Sequence, residues 1–422
     1  MKITFLIFFT LFVGLMTTAP AYARGGGVTP VPPQRVDIVP ANLQAEIVPD
    51  PFGFIYSTSV SGDTLITNGI SVFNTTTYVY ERTGTIWSLQ TTLSAADGAV
   101  LCCIAKISGD NAVVMGSVTN PVTGLITTSP YIFHRTPATV TTPAVWKLEK
   151  KLTGLGIAPI DFARRGSSPL LAVDGNTVAV AVNAGIGANV FIYKRIVNAA
   201  GVPVWARQAL LTNTGASARS GSISLSGNTL VLSDYSVAGL SGQVLVYQRT
   251  LNTWSQQAVL TSGVTPSGFG YSVGVSGNNL VIGAVFESAV DPKKGFLLNS
   301  GAIYFFERTG TTWVQKAKFP NPTPSRLGAF GSNVSISGAN AAITAPGNGP
   351  ASLYVFQRGA TTWSRIITNE PKGTFLDFSY NDGFIGVVSD ISVSGKTYTA
   401  IGQRLDPTLT TTTIEDFVFT IP

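Results

Sequence analysis

The 422-residue sequence predicts an all-β fold, a seven-bladed β-propeller of four-stranded antiparallel blades. Three observations predict it. A short aromatic motif ending in Arg recurs along the chain, and each clear copy is followed by a turn and a Trp. A Gly-centred turn signal between two apolar runs precedes each copy. The composition favours strands and tight turns, with 44 Gly, 24 Pro and only 11% charged residues.

The N-terminus reads as a processing segment. Lys2 is followed by an apolar run over residues 3–16 and by Ala21-Tyr22-Ala23, the pattern of a secretory signal cleaved after Ala23. The residue directly after that point is Arg24 and not Cys, which argues against a lipoprotein. The expected organisation is a signal peptide over 1–23, a Gly/Pro-rich linker over 24–42 and the propeller over 43–422. The apolar run is short for a bilayer span, and no later stretch is long and apolar enough. The chain is therefore expected to be secreted or extracytoplasmic, in the periplasm or at the cell surface, with no integral membrane segment.

The repeat is an aromatic or Leu, an apolar residue, Tyr or Phe, a variable residue, then Arg. Its clear copies begin at Tyr78, Tyr131, Phe191, Leu245, Tyr304 and Tyr354 and end at Arg82, Arg135, Arg195, Arg249, Arg308 and Arg358. Trp87, Trp146, Trp205, Trp254, Trp313 and Trp363 follow in the same order, and they are all the tryptophans of the chain. The preceding turn signals are Ser61-Gly62-Asp63, Ser108-Gly109-Asp110, Asp174-Gly175-Asn176, Ser226-Gly227-Asn228, Ser276-Gly277-Asn278 and Ser337-Gly338-Ala339. A seventh, worn copy has its turn at Asn381-Asp382-Gly383, its next strand at residues 384–388 and its aromatic-to-Arg strand from Tyr398 to Arg404. Each unit reads as four strands, an architecture that leaves only short protected edges once the units close into a ring. Two segments compete to close it. Residues 43–47 resemble the outer-strand pattern at Gln257-Ala258-Val259-Leu260 and are favoured, and the C-terminal run at 413–419 is the alternative.

The formal charge of +6 is spread along the chain, so a nucleic-acid footprint is not expected. Cys102 and Cys103 are the only cysteines; they read either as two thiols on opposite sides of a strand or as a vicinal disulfide. The single histidine, His134, takes the variable repeat position, which its varied composition marks as solvent-facing. With no second His, a His-based zinc site or triad is not expected.

Phe269-Gly270 ahead of an inner strand and Gly283-Ala284 after the second resemble the two halves of an FG-GAP (integrin α-type) repeat. Phe330-Gly331 with Ala345-Pro346 is a second instance, and Phe52-Gly53 a partial third. The resemblance covers the chain from about residue 43 and implies a propeller at a cell surface or secreted, used for adhesion and ligand binding. Many such repeats carry a calcium loop with several spaced carboxylates. Here the corresponding loops, at 233–236, 286–291 and 347–349, lack them. No cofactor is expected, and calcium stays an open possibility without its carboxylates. The hairpin before each Trp is also similar to the Asp-box of sialidase propellers, but Thr309-Gly310-Thr311-Thr312-Trp313 lacks its Ser and Asp. The repeated arginines read as turn-stabilising residues.

Binding is the expected use of such a scaffold, through loops grafted onto a rigid frame. The longest loop, from Phe286 to Ser300, carries Glu287, Asp291, Lys293 and Lys294. Asp161, Arg164 and Arg165 lie in the connection into the third blade, and residues 117–130 form a polar loop in the second. These loops should emerge on one face. The expectation is a monomeric, noncatalytic module for a protein or glycan partner, in adhesion or surface interaction. The alternative is an extracellular polysaccharide hydrolase or lyase, which would need acids or Tyr clustered on the central axis.

Overall fold

The computed structural model of the protein describes residues 43–47, 54–70, 75–157, 170–183, 187–212, 214–216, 221–347, 352–366, 391–405 and 412–420. All of them fall within one compact unit, Ile38–Pro422. Their regular structure is strand, apart from one short helical turn at Val237–Leu240.

Consecutive strands form four-stranded antiparallel sheets over 54–93, 100–151, 170–211, 223–260, 269–320 and 334–365, here blades one to six. Blade five shows the pattern: an inner strand Phe269–Ser276, a second Asn279–Ala284, a third Ala302–Thr309 and an outer Thr312–Pro320. The chain is thus an all-β propeller of four-stranded antiparallel blades. Six blades, not the expected seven, are self-contained repeats. The remaining four-stranded sheet is shared between the chain ends, in the order Leu43–Ile47, Thr412–Thr420, Thr397–Leu405, Ile391–Ser394.

That terminal sheet corrects the sequence reading of the last copy. The expected turn at Gly383 and the strand at 384–388 lie outside the described residues. The hairpin turns instead at Gly395, whose φ of 59° matches the turn glycines of the six blades, and Ile391–Ser394 pairs with Thr397–Leu405. Tyr398 to Arg404 is therefore on a second strand, not a third. The two segments expected to compete for closure hold different places: Thr412–Thr420 is the third strand, and Leu43–Ile47 pairs outside it.

The hairpin turns do more than reverse the chain. Gly109 N–H donates to Ser61 Oγ, Gly175 to Ser108, Gly227 to Asp174 Oδ2, Gly277 to Ser226, Gly338 to Ser276 and Gly395 to Ser337, at 2.5–3.0 Å. Gly62 N–H then donates to Ser394 Oγ at 2.8 Å, so this belt of hydrogen bonds returns to its start. A left-handed glycine lets each turn present its N–H to the Ser or Asp of the preceding one.

The core lies between blades. Each larger apolar cluster draws on two neighbouring sheets, as where Leu280, Ile282 and Tyr304 of blade five meet Val231, Val244 and Val246 of blade four. Tyr131, Tyr304, Tyr354 and Tyr398 are among the largest fully buried side chains. At the join of blades five and six, Phe305 stacks on Trp363 at 4.2 Å between ring centres.

Cys102 and Cys103 lie on the inner strand Val100–Ser108, within an irregular register between Leu101 and Ala105. Their side chains lie outside what is described, as do Phe52-Gly53.

Candidate functional site

In each blade the second-to-third-strand loop and the connection to the next blade emerge at the same end of the sheet, because successive strands are antiparallel. Asp161, Arg164 and Arg165 fall outside the described residues. The 286–300 loop is described, and it is not irregular. It folds as a two-stranded hairpin, Ala289–Asp291 paired with Gly295–Leu297.

The four residues expected to bind there divide into anchors and tip. Glu287 is an anchor: its side chain is only 12% exposed, it pairs with Lys318 Nζ, and it accepts the Tyr304 hydroxyl at 2.7 Å. Burial first, and then this carboxylate, raise the Tyr304 pKa, so the phenol stays protonated. Asp291 accepts the N–H groups of Lys293 and Lys294 at 2.8 Å each, which tightens the turn and lowers the carboxyl pKa. Lys294 Nζ donates to Pro324 O at 2.9 Å, and Lys293 is exposed at the tip. Sequence reasoning missed Val290 and Phe296, directly paired across the hairpin and 79% and 66% exposed. Their alternation was visible, but burial is the default for such residues.

The Glu287 arrangement recurs in blade two. Asp97 accepts the Tyr131 hydroxyl at 2.9 Å and Lys151 Nζ at 2.7 Å, while Lys151 lies over the Tyr131 ring as Lys318 lies over Tyr304. The lysine contact lowers the Asp97 pKa and that carboxylate raises the Lys151 pKa. A Tyr–carboxylate–Lys set repeated on two blades is a device for pinning loops to the sheet.

The motif arginines are not confined to their own turns. Arg135 donates to Asp110 of its own hairpin and to Glu81 of blade one; Arg358 reaches Glu307 of blade five at 2.7 Å. Arg308 bonds both Asn278 and Gln248. The variable position before each Arg, expected to face solvent, thus serves as an inter-blade acceptor at Glu81, Gln248 and Glu307. His134 occupies this position in blade two, half-buried and bonded through Nδ1 to Asn111 Oδ1 at 2.8 Å. Arg195, which would have met it, makes a two-bond contact with Glu149 instead. Burial and then the Arg195 charge lower the His134 pKa.

The described inner strands carry two charged residues, Lys106 and Asp174, and Asp174 accepts Gly227 N–H in the belt. Asp234, at the end of the strand Thr229–Asp234 where a calcium loop would begin, is buried and accepts both the Ser236 N–H and the Ser236 hydroxyl. Among the described residues, no group of three His, Cys, Asp or Glu side chains comes together.

The Phe-Gly and Gly-Ala segments have a joint physical reason. Phe269 is fully buried, edge-on to Tyr304 at 5.2 Å, and Phe330 meets Tyr354 in the same way at 5.1 Å. A Cβ on Gly283 would lie 2.0 Å from Gly331 O, so the Gly-Ala of blade five touches the Phe-Gly of blade six backbone to backbone. Residues 254–306 match the FG-GAP repeat. The match runs from the outer strand of blade four through most of the third strand of blade five, so it spans the boundary between those two blades and holds both Phe269-Gly270 and Gly283-Ala284, while Gly331 lies beyond it. No curated protein matches the chain in sequence. Among solved structures it is similar to the β-propeller domain of the Trilobed protease from Pyrococcus furiosus, at 10% identity and a TM-score of 0.46 over 87% of this chain and 95% of that one. It is also similar to Chaetomium thermophilum Sqt1 bound to the N-terminus of the ribosomal protein L10, at 10% identity and a TM-score of 0.48 over 90% of this chain and 100% of that one.

Proposed function

We propose that this chain is an exported, noncatalytic propeller, with the terminal sheet as its seventh blade, that binds a protein or glycan partner in adhesion or surface interaction. One observation carries the reading: the hairpin of blade five is pinned at its base by Glu287 and exposed at its tip, where Lys293, Val290 and Phe296 face solvent. A rigid base with an exposed apolar and basic tip keeps the entropy lost on binding small. The polar groups most suggestive of chemistry, Tyr304, Glu287, Asp97 and the motif arginines, are engaged with one another, which supports binding over the hydrolase alternative. Calcium is not required by this reading.

Export follows from the leader pattern and is tested by N-terminal sequencing of material recovered outside the cytoplasm, expected to begin at Arg24. Binding is tested by capture of soluble protein and glycan from envelope extract with the chain and with a Lys293→Glu, Phe296→Ser variant. Capture is expected to fall at least tenfold in the variant. Equal capture by both removes the hairpin from the contact.

A further inference from the structure

The exposed groups of the hairpin tip are of a particular kind. Phe296 is the only exposed phenylalanine among the described residues whose burial is known. Its neighbour Val290 is more exposed still, and Leu298 follows at 39%. Two lysines sit at the turn between these strands. Asp291 is the one carboxylate at that turn, so the lysines outnumber it there, while Glu287 at the base is paired with Lys318 and Tyr304. The tip is therefore apolar and basic.

A second apolar tip stands at the same end of the propeller. The second-to-third-strand loop of blade two turns at Asn120, whose side chain accepts the N–H groups of Val122 and Thr123. It presents Val122, Leu125 and Ile126 to solvent, at 90%, 62% and 43% exposure. Blades two and five are not adjacent, so a single occupant of both tips has to be broad, as a bilayer surface is. Apolar side chains beside lysines suit the boundary of an anionic bilayer, where the chains enter the acyl region and the ammonium groups meet headgroups.

We infer that the tips at Val290, Lys293, Lys294 and Phe296 and at Val122, Leu125 and Ile126 seat this face of the propeller on an anionic lipid surface. The inference goes beyond the binding reading above, which concerns soluble protein or glycan. The two fail separately, since vesicles contain neither.

The test is co-sedimentation of the purified chain with vesicles of phosphatidylcholine alone and with one quarter phosphatidylglycerol. The anionic vesicles are expected to bind the chain at least tenfold better, with binding weakened by added salt. Lys293→Glu with Lys294→Glu should remove that preference. Val290→Ser with Phe296→Ser, and separately Val122→Ser with Leu125→Ser, should each lower binding several-fold while leaving thermal unfolding unchanged, because all four side chains are exposed. No binding to anionic vesicles overturns the inference, and so does binding that neither apolar pair affects. Capture of an acidic protein by a chain that ignores vesicles overturns it as well and assigns the tips to a protein contact.

Discussion

Trp Nε1 shows how the repeat works at the scale of single residues. Trp146 donates to Gln90, Trp205 to Glu149, Trp254 to Gln208 and Trp313 to Gln257, each acceptor lying on the outer strand of the preceding blade. Each acceptor stands three residues after that blade's own Trp. At the corresponding place before Trp363 stands Lys316, which can only donate, and Trp363 Nε1 is buried without a partner. Lys316→Gln should therefore stabilise the protein by about 1 kcal/mol, read as a higher midpoint in chemical denaturation. An unchanged midpoint would show that Trp363 gains nothing from an acceptor there. His134 allows a second test. Its folded-state pKa lies below the 6.5 of a free imidazole, chiefly through burial, so the unfolded chain takes up the proton first as pH falls. Stability should be intact above pH 6.5 and decline below it as the proton is forced onto the folded state. His134→Gln keeps a donor for Asn111, as Gln357 does for Asn340 at 3.2 Å, and should abolish that part of the decline. Parallel pH profiles for variant and parent would overturn the assignment.

Paired elements show where sequence reasoning ran out. The strand order, the turn glycines of the six blades and the shared Trp position were all legible, because each is a local signal with a fixed period. The partners of those residues were not. Ser61, Ser108 and Ser276 were visible as turn formers, but nothing local says that their hydroxyls accept from the next blade. Glu81 and Glu307 looked like solvated variation, since their acceptor role depends on an Arg more than 50 positions away. Glu287 was placed in a binding loop for its charge, and only the fold shows it closing on Tyr304. The FG-GAP glycines illustrate the same limit. Gly283 reads as a weak spot in a strand, yet a Cβ there would strike the Gly331 carbonyl of the next blade. Gly283→Ala should cost about 3 kcal/mol through overpacking that backbone can relieve only by shifting. Gly338→Ala is the comparison, because its added Cβ meets open space and only the backbone conformation resists. A larger loss at Gly338 would mean that the left-handed turn, and not the inter-blade contact, dominates.

For the whole molecule, the terminal sheet decides whether the repeats form a ring. It touches the first blade through Thr58 Oγ1 with Thr399 Oγ1 at 3.2 Å, Val60 N–H to Ser392 Oγ at 3.0 Å and Arg82 to Thr397 Oγ1 at 3.0 Å. It touches the last through Val393 N–H to Ser335 Oγ at 3.1 Å. Its outermost strand comes from the other end of the chain, where Leu43, Glu46 and Ile47 pair with Phe419, Phe417 and Asp416. Closure is thus a contact between residues more than 300 positions apart, with a correspondingly large loop-closure entropy. Deleting residues 43–47 leaves the six blades complete but strips the partner from Thr412–Thr420, baring an edge. The truncated chain should melt several degrees lower and self-associate as concentration rises, read by calorimetry and by light scattering. A synthetic peptide carrying residues 38–50 should reverse both effects by taking the vacated place. Unchanged melting and a monomeric truncated chain would show that the terminal sheet is closed well enough by its three C-terminal strands, and that the N-terminal strand is an accessory to the ring.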